Sequence, residues 1–198
     1  GSGIGIEAVA QSAHEPANLL VVLPLAGRHL CLPVGCAKTH IAHGDGPLLD
    51  AGCAVTACDT RFAPDLRRAW NTVADRRLRL VEAEVNALPA LDADVLIHAA
   101  ALTASPEEAG HTPVANLRAN LDPFLDALDW AHSNGVRRTI AISSSAVFRQ
   151  SAPGPLRDDQ PPQPLGTYAV AKTTIEHTAE TLRQVAAQTA VIREVCAR

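Results

Sequence analysis

Methionine is absent from this sequence, the initiator position included, and aromatic residues make up only 3% of it, with Tyr168 as its single tyrosine. The missing initiator leads us to expect a processed chain or a fragment. No apolar run approaches the roughly 18 residues that cross a membrane. Residues 1–18 also lack the basic segment followed by an apolar stretch that marks a secretory signal. We therefore expect neither secretion nor a membrane partner.

The sequence also lacks an excess of basic residues and lacks closely spaced pairs of cysteines. The chain has 17 lysine and arginine residues against 21 aspartate and glutamate residues, a net charge of −4 at pH 7, which gives no electrostatic reason to expect nucleic acid as a partner. Its five cysteines are an odd number without a C-x-x-C pair. This pattern argues against a disulfide framework or a zinc knot and favours the reducing cytoplasm. His40 and His43 have no evident third partner, so no metal site is predicted.

The 198 residues are 47% apolar, which is enough for the core of one domain over residues 1–198. From about residue 48, short apolar runs typical of buried strands alternate with segments of helical spacing. This alternation indicates βαβ units with right-handed crossovers. We therefore predict an α/β fold with a doubly wound parallel sheet and helices on both faces. The predicted strands are 53–58, 78–85, 94–101, 138–143 and 189–195, and the predicted helices are 64–74, 113–134 and 168–187.

A Y-x-x-x-K motif opens the last predicted helix, after a loop rich in proline, glycine and aspartate over residues 151–166. Tyr168 and Lys172 are four residues apart, so they lie on one helix face and can serve one site. A phenol has a pKa near 10, and a nearby positive charge lowers it by favouring the phenolate. Such a pair can exchange a proton with a substrate hydroxyl or carbonyl while hydride moves to or from a nicotinamide.

Three serines, Ser143 to Ser145, end the predicted strand at 138–143. Ligands of open α/β sheets bind at the carboxyl ends of the strands, where a serine hydroxyl can donate a hydrogen bond to a substrate oxygen. The alternative is that these hydroxyls only cap the loop.

The serine block I-S-S-S-A-V-F and the Y-A-V-A-K block, at their mutual spacing, resemble the NAD(P)-dependent epimerase/dehydratase family, the extended short-chain dehydrogenases/reductases. Further matches follow in the family's order over residues 48–195. They are D-A-D-V-L-I-H-A-A-A at 92–101, Asn120, N-G-V at 134–136, and the acidic and proline positions before Tyr168. The resemblance implies a Rossmann-like domain that binds NAD(P).

The resemblance also implies roles for individual residues. Ser144 is expected to orient the substrate, Tyr168 to act as acid/base, and Lys172 to bond the nicotinamide ribose and lower the pKa of Tyr168. Ser145 remains a rival for Ser144, because a triple serine permits a one-residue shift of the alignment. The expected substrate is a sugar, sugar acid or nucleotide sugar. The family also implies a homodimer.

Asp59 follows the strand at 53–58, where a carboxylate of a dinucleotide fold accepts hydrogen bonds from the adenosine ribose. It would repel a 2′-phosphate, so NAD is expected rather than NADP, although Arg61 close by would soften that preference. The resemblance implies further cofactor contacts. Glu84 and Val85 match the pair of residues that borders the adenine in the family. The remaining residues expected to contact the cofactor are Ala99, Ala100, Asn120, Tyr168 and Lys172.

The sequence departs from the family at the glycine-rich loop that should cradle the pyrophosphate. Counting back from Asp59 reaches Gly35, but the second and third glycine positions then fall on Lys38 and Ile41. An alternative register uses a strand at 19–23 and then Gly27, and it lacks the first two glycines.

Two functions of different classes therefore stay open. The first is an NAD(P)-dependent oxidoreductase, epimerase or dehydratase acting through Ser144, Tyr168 and Lys172. The second is a truncated, non-catalytic Rossmann-like module for nucleotide binding or assembly. The degenerate glycine loop favours the second, as does the end of the chain shortly after the last strand, where the family's substrate-binding region is expected to be missing.

Overall fold

The computed structural model describes residues 18–22, 53–62, 64, 67–68, 78–148, 156–157, 159–186 and 189–192. Six strands form one sheet in the order β3-β2-β1-β4-β5-β6, and every neighbouring pair is parallel. This is the doubly wound order, with its reversal between β1 and β4. The predicted parallel α/β sheet is confirmed. The strands are β1 Asn18–Val22, β2 Ala54–Asp59, β3 Leu78–Glu82, β4 Val95–His98, β5 Arg138–Ile142 and β6 Thr189–Ile192.

Burial follows position in the sheet. β2, β4 and β5 lie inside it, and most of their side chains are buried, as expected of strands covered on both faces. β3 lies at the edge and keeps its side chains partly or fully exposed. The apolar runs of the sequence therefore mark the inner strands, and the more polar run L-R-L-V-E marks the edge.

Three helices have both of their ends among the described residues: α1 Pro106–Ala109, α2 Pro113–Ser133 and α3 Thr167–Ala186. α2 begins at the cap residue Thr112, whose Oγ1 accepts a hydrogen bond from the Ala115 N–H at 3.2 Å, and it ends before Gly135, which has φ 69°. None of these helices combines the length and hydropathy that a bilayer crossing requires.

α2 and α3 pack against each other and against the sheet. Their shared core contains Phe124 of α2, Ala141 of β5, and Ile175 and Ala179 of α3, all almost fully buried. Burying a phenylalanine side chain contributes roughly 1.5–3 kcal/mol. This core fixes the distance of α3 from the end of β5.

The predicted strands at 78–85 and 94–101 both run too far. The first ends at Glu82: the Ala83 N–H makes the last bond to β2, to the carbonyl of Asp59 at 3.0 Å, and a 3-10 turn then begins at Val85. The second is β4, which covers only Val95–His98. The predicted helix at 64–74 falls mostly outside the described residues.

Candidate functional site

Tyr168 and Lys172 lie on the first two turns of α3. Lys172 is only 2% exposed, and its Nζ donates a hydrogen bond of 2.7 Å to the carbonyl of Ile142, the last residue of β5. The same Nζ lies 5.9 Å from the centroid of the Tyr168 ring. The structure therefore brings the two residues of the Y-x-x-x-K motif together at the carboxyl end of β5.

Ser144 follows β5 by two residues and caps a 3-10 turn at Ser145–Val147, where its Oγ accepts a hydrogen bond from the Ala146 N–H at 3.2 Å. Ser143 is buried, whereas Ser144 and Ser145 are partly exposed. The turn packs against α3, and the Gln163 N–H donates to the carbonyl of Val147 at 2.8 Å. The serine block and the start of α3 thus share one end of β5, and both Ser144 and Ser145 remain accessible there.

A cavity opens at the carboxyl ends of β2, β3 and β4. It brings together four residues predicted to contact cofactor: Asp59, Glu84, Val85 and Ala100. Thr60, Ala101, Ala119, Pro123 and Asp126 are among its other lining residues. Ala99, the fifth residue in this region that was predicted to contact cofactor, lies directly after β4 and is partly exposed.

Asp59 is 4% exposed at the last position of β2, and its Oδ1 accepts a hydrogen bond of 3.4 Å from the Thr60 hydroxyl. Burial raises the pKa of the neighbouring Cys58 thiol to about 12, with the Asp59 charge adding to that rise and Arg79 opposing it. Cys58 therefore stays protonated and behaves as an apolar wall of the cavity.

The far wall of the cavity belongs to α2 and was not anticipated from the sequence. Ala119, Pro123 and Asp126 line it from successive turns. Pro123 lies inside the helix and has no N–H to donate to the carbonyl of Ala119. Burial, followed by the charges of Asp122 and Asp129, raises the pKa of Asp126. Nothing local in the sequence marks this wall, because only the packing of α2 brings these side chains to the cavity.

Asn120 was predicted to contact cofactor, and the structure gives its amide other partners. It is 2% exposed; its Oδ1 accepts from the Leu102 N–H at 2.8 Å, and its Nδ2 donates to the carbonyls of Leu102 and Asn116, each at 3.1 Å. These bonds hold the loop that leaves β4. A direct cofactor contact by Asn120 stays a prediction.

His98, the last residue of β4, is fully buried; in the sequence it belonged to the H-A-A-A segment that resembles the family, and it was given no role of its own. Its ring meets Phe124 edge-on at 5.3 Å between centroids. Neither ring nitrogen has a hydrogen-bond partner among the described residues. Burial, and secondarily the charge of Lys172, lowers the pKa of His98 to about 3, so the imidazole beneath the site is neutral.

The predicted glycine positions Gly35 and Gly27 lie outside the described residues, and their role stays a prediction. β1 covers Asn18–Val22, which is the strand required by the register that uses Gly27. Val22 pairs with both Cys58 and His98, so β1 ends between the two strands, β2 and β4, whose carboxyl ends border the cavity. Among the described residues, no group of three or more His, Cys, Asp or Glu side chains is arranged to hold a metal ion.

Structural comparison finds the same fold in sugar-nucleotide enzymes. A UDP-N-acetylglucosamine 4-epimerase from Methanobrevibacter ruminantium M1 superposes with a TM-score of 0.68 at 19% identity, over 90% of this chain and 55% of that one. A dTDP-glucose 4,6-dehydratase from Streptomyces venezuelae, with NAD bound, gives 0.68 at 22% identity, over 89% and 55%. A UDP-glucose 4-epimerase from Bifidobacterium longum, in complex with NAD⁺ and UDP, gives 0.69 at 17% identity, over 89% and 52%.

This chain therefore spans about half the length of each of these proteins. Comparison with curated protein sequences gives no match. The sequence model of the NAD dependent epimerase/dehydratase family, in contrast, matches residues 48–196, which is most of the chain. The chain belongs to the NAD dependent epimerase/dehydratase family.

Proposed function

We propose that this chain binds NAD across the carboxyl ends of its sheet and uses Ser144, Tyr168 and Lys172 in the oxidation, epimerisation or dehydration of a sugar, sugar acid or nucleotide sugar. One observation carries the proposal. A buried lysine ammonium is fixed at 2.7 Å from the Ile142 carbonyl and 5.9 Å from the ring of the chain's single tyrosine. Burying an ammonium charge costs free energy even with this hydrogen bond, so a role beyond packing is the better explanation for it.

The chemistry of the pair suits a proton transfer. The Lys172 ammonium favours the phenolate of Tyr168, which then accepts the proton of a substrate hydroxyl. Ser144 donates a hydrogen bond to the same substrate oxygen from the end of β5. Bound NAD supplies the acceptor for the hydride of the substrate carbon.

The cavity at β2 to β4 suits the adenosine half of the cofactor. The small side chains of Ala100 and Ala101 leave room for a base, and the buried carboxylate of Asp59 is an acceptor for ribose hydroxyls. Glu84 and Asp126 add two further acidic side chains to the lining. A 2′-phosphate would meet this negative field, so we propose NAD rather than NADP.

Two arginines described near the cavity differ in what they can offer a 2′-phosphate. The guanidinium of Arg67 forms an ion pair of 3.0 Å with Glu82, so its charge is already partnered. Arg61 is exposed two residues after Asp59. We expect it to weaken the preference for NAD without reversing it.

The substrate class rests on family membership and on what the structural relatives act on. Those relatives are a UDP-N-acetylglucosamine 4-epimerase, a UDP-glucose 4-epimerase and a dTDP-glucose 4,6-dehydratase. We propose a nucleoside diphosphate sugar as the first class to test.

Cofactor binding is the first experiment. The chain is titrated with NADH and NADPH, and nicotinamide fluorescence and calorimetric heat are followed. We expect saturable NADH binding, weaker NADPH binding, and a loss of about tenfold or more in NADH affinity for Asp59→Ala, since a charged acceptor is removed. The control is Glu107→Ala, an exposed carboxylate on α1 that should leave the affinity unchanged. Absence of saturable binding of either cofactor at millimolar concentration overturns the proposal.

Turnover is the second experiment. The chain is incubated with NAD and UDP- or dTDP-hexoses, and products are separated by chromatography. We expect Tyr168→Phe to lower turnover by about 10²–10⁴-fold while NADH affinity is kept. Binding of NADH without turnover of any sugar nucleotide would instead favour the non-catalytic nucleotide-binding module.

A further inference from the structure

Asn116 of α2 links two segments that flank the catalytic tyrosine. The residue is fully buried, and its side-chain amide is used at both ends. Its Nδ2 donates a hydrogen bond of 3.0 Å to the carbonyl of Ala104, in the loop between β4 and α1. Its Oδ1 accepts a hydrogen bond of 2.6 Å from the hydroxyl of Thr167.

Thr167 is the first residue of α3, and Tyr168 follows it directly. The first turn of a helix lacks part of the backbone bonding that holds later turns. Here the segment before it offers little support, since Leu165 is 79% exposed and Gly166 adopts φ 86°. The Thr167 hydroxyl therefore provides a tether to α2 at the point where α3 begins.

Lys172, in contrast, is anchored one turn later by its bond to the Ile142 carbonyl. The distance between phenol and ammonium thus depends on whether the first turn of α3 keeps its place. We propose that Asn116 is a positioning residue, which acts through the Thr167 hydroxyl to hold Tyr168 beside Lys172. The inference rests on the proposed function of Tyr168 as acid/base.

The loop side of the link reaches the same region. Asn120, one turn after Asn116, holds Leu102 through its N–H and its carbonyl. Asn116 and Asn120 together tie the segment leaving β4 to α2, and Asn116 alone extends that tie to α3. These bonds tie the start of α3, and with it Tyr168, to the loop after β4, as the Lys172 bond ties α3 to the end of β5.

The single tyrosine makes a direct test possible, because its ionisation can be followed by ultraviolet difference absorbance without any substrate. Thr167→Val keeps the shape of the side chain and removes the hydroxyl. We expect its tyrosine titration midpoint to rise above that of the unmodified chain by about 0.5 or more, because the phenol moves away from the Lys172 charge. The buried side chains of His98 and Glu176 are present in both the variant and the unmodified chain.

Two control variants separate positioning from a general loss of structure. Thr167→Ser keeps the hydroxyl and should restore the original midpoint. Thr174→Val removes a hydroxyl of the same helix that donates to the Val170 carbonyl at 2.8 Å, and it should leave the midpoint unchanged. If Thr167→Val does not fold by circular dichroism, Thr167→Ala is compared with Thr167→Ser in the same way.

The outcomes of this test can be told apart from the outcomes that test the proposed function. A raised midpoint in Thr167→Val alone, with NADH affinity unchanged, supports the positioning role. Equal midpoints in all folded variants overturn it, and the proposed function then still stands or falls on cofactor binding and on the turnover of Tyr168→Phe.

Discussion

The ammonium of Lys172 donates a hydrogen bond of 2.7 Å to the carbonyl of Ile142. This bond joins the second turn of α3 to the last residue of β5, and it fixes the position of a buried positive charge. Since Ser144 follows Ile142 by two residues, the strand end that anchors the charge also places the serine block. The candidate site is therefore built around one strand terminus rather than around a mobile loop.

Replacing Lys172 by methionine keeps most of its length and removes its charge. We expect the titration midpoint of Tyr168 to be higher in Lys172→Met than in the unmodified chain, because the favourable charge next to the phenolate is lost. The measurement is ultraviolet absorbance of the single tyrosine against pH. Lys172→Arg, which keeps a charge, should show a smaller rise; an unchanged midpoint in Lys172→Met would show that the ammonium does not act on the phenol.

His98 should make stability depend on pH. Burial holds its folded pKa at about 3, against 6.5 for an ordinary histidine. Between these values the unfolded chain binds more protons than the folded chain, so stability falls as pH drops from 6.5 toward 3, by up to about 1.4 kcal/mol per pH unit. Urea unfolding at a series of pH values measures this slope.

In His98→Leu the slope over that window should be smaller than in the unmodified chain. His177→Gln, at an exposed histidine of α3, serves as the control and should keep the original slope. Equal slopes in the unmodified chain and His98→Leu would mean that the imidazole is accessible to protons in the folded chain.

The sequence predicted the fold where local signals agree. α2 was located within one residue, since Thr112 and Pro113 mark its start and Asn134 with Gly135 marks its end. β3 was predicted three residues too long, because its pairing ends where its neighbour β2 ends, at Asp59, and the local sequence does not show this.

The residues of the candidate site were likewise predictable only where the signal is local in the sequence. Tyr168 and Lys172 were found because four residues along one helix already imply a shared face. Asn116 and Thr167 are 51 residues apart, and nothing local joins them before the helices pack. Asp126 was missed for the same reason, since only the packing of α2 beside β2 and β4 brings it to the cavity.

The ionised carboxylate of Asp126 should lower the free energy of unfolding at neutral pH. Its pKa is raised by burial and by the charges of Asp122 and Asp129, so the folded chain holds this proton more tightly than the unfolded chain. Stability from this group is therefore present below the ordinary value of 3.8 and is lost as pH rises through the raised folded value.

The variant Asp126→Asn should accordingly melt at a higher temperature than the unmodified chain at pH 7, and the difference should shrink on acidification below 3.8. Thermal unfolding followed by circular dichroism tests this. Glu107→Gln on α1 is the matched exposed control, with no gain expected at either pH. A gain for Asp126→Asn that persists at low pH would assign the effect to something other than its charge.

Pro123 should reduce the stability of α2. Inside the helix it has no N–H to donate to the carbonyl of Ala119, and a proline in a helix interior costs about 3 kcal/mol or more relative to alanine. Pro123→Ala should raise the free energy of unfolding by about 1 kcal/mol or more, the rest being offset by packing adapted to the proline. Pro113→Ala is the control, because Pro113 lies in the first turn, where the missing N–H would have no helical acceptor. Urea denaturation of both variants measures the difference, and equal stability of the two would mean that α2 has fully accommodated Pro123.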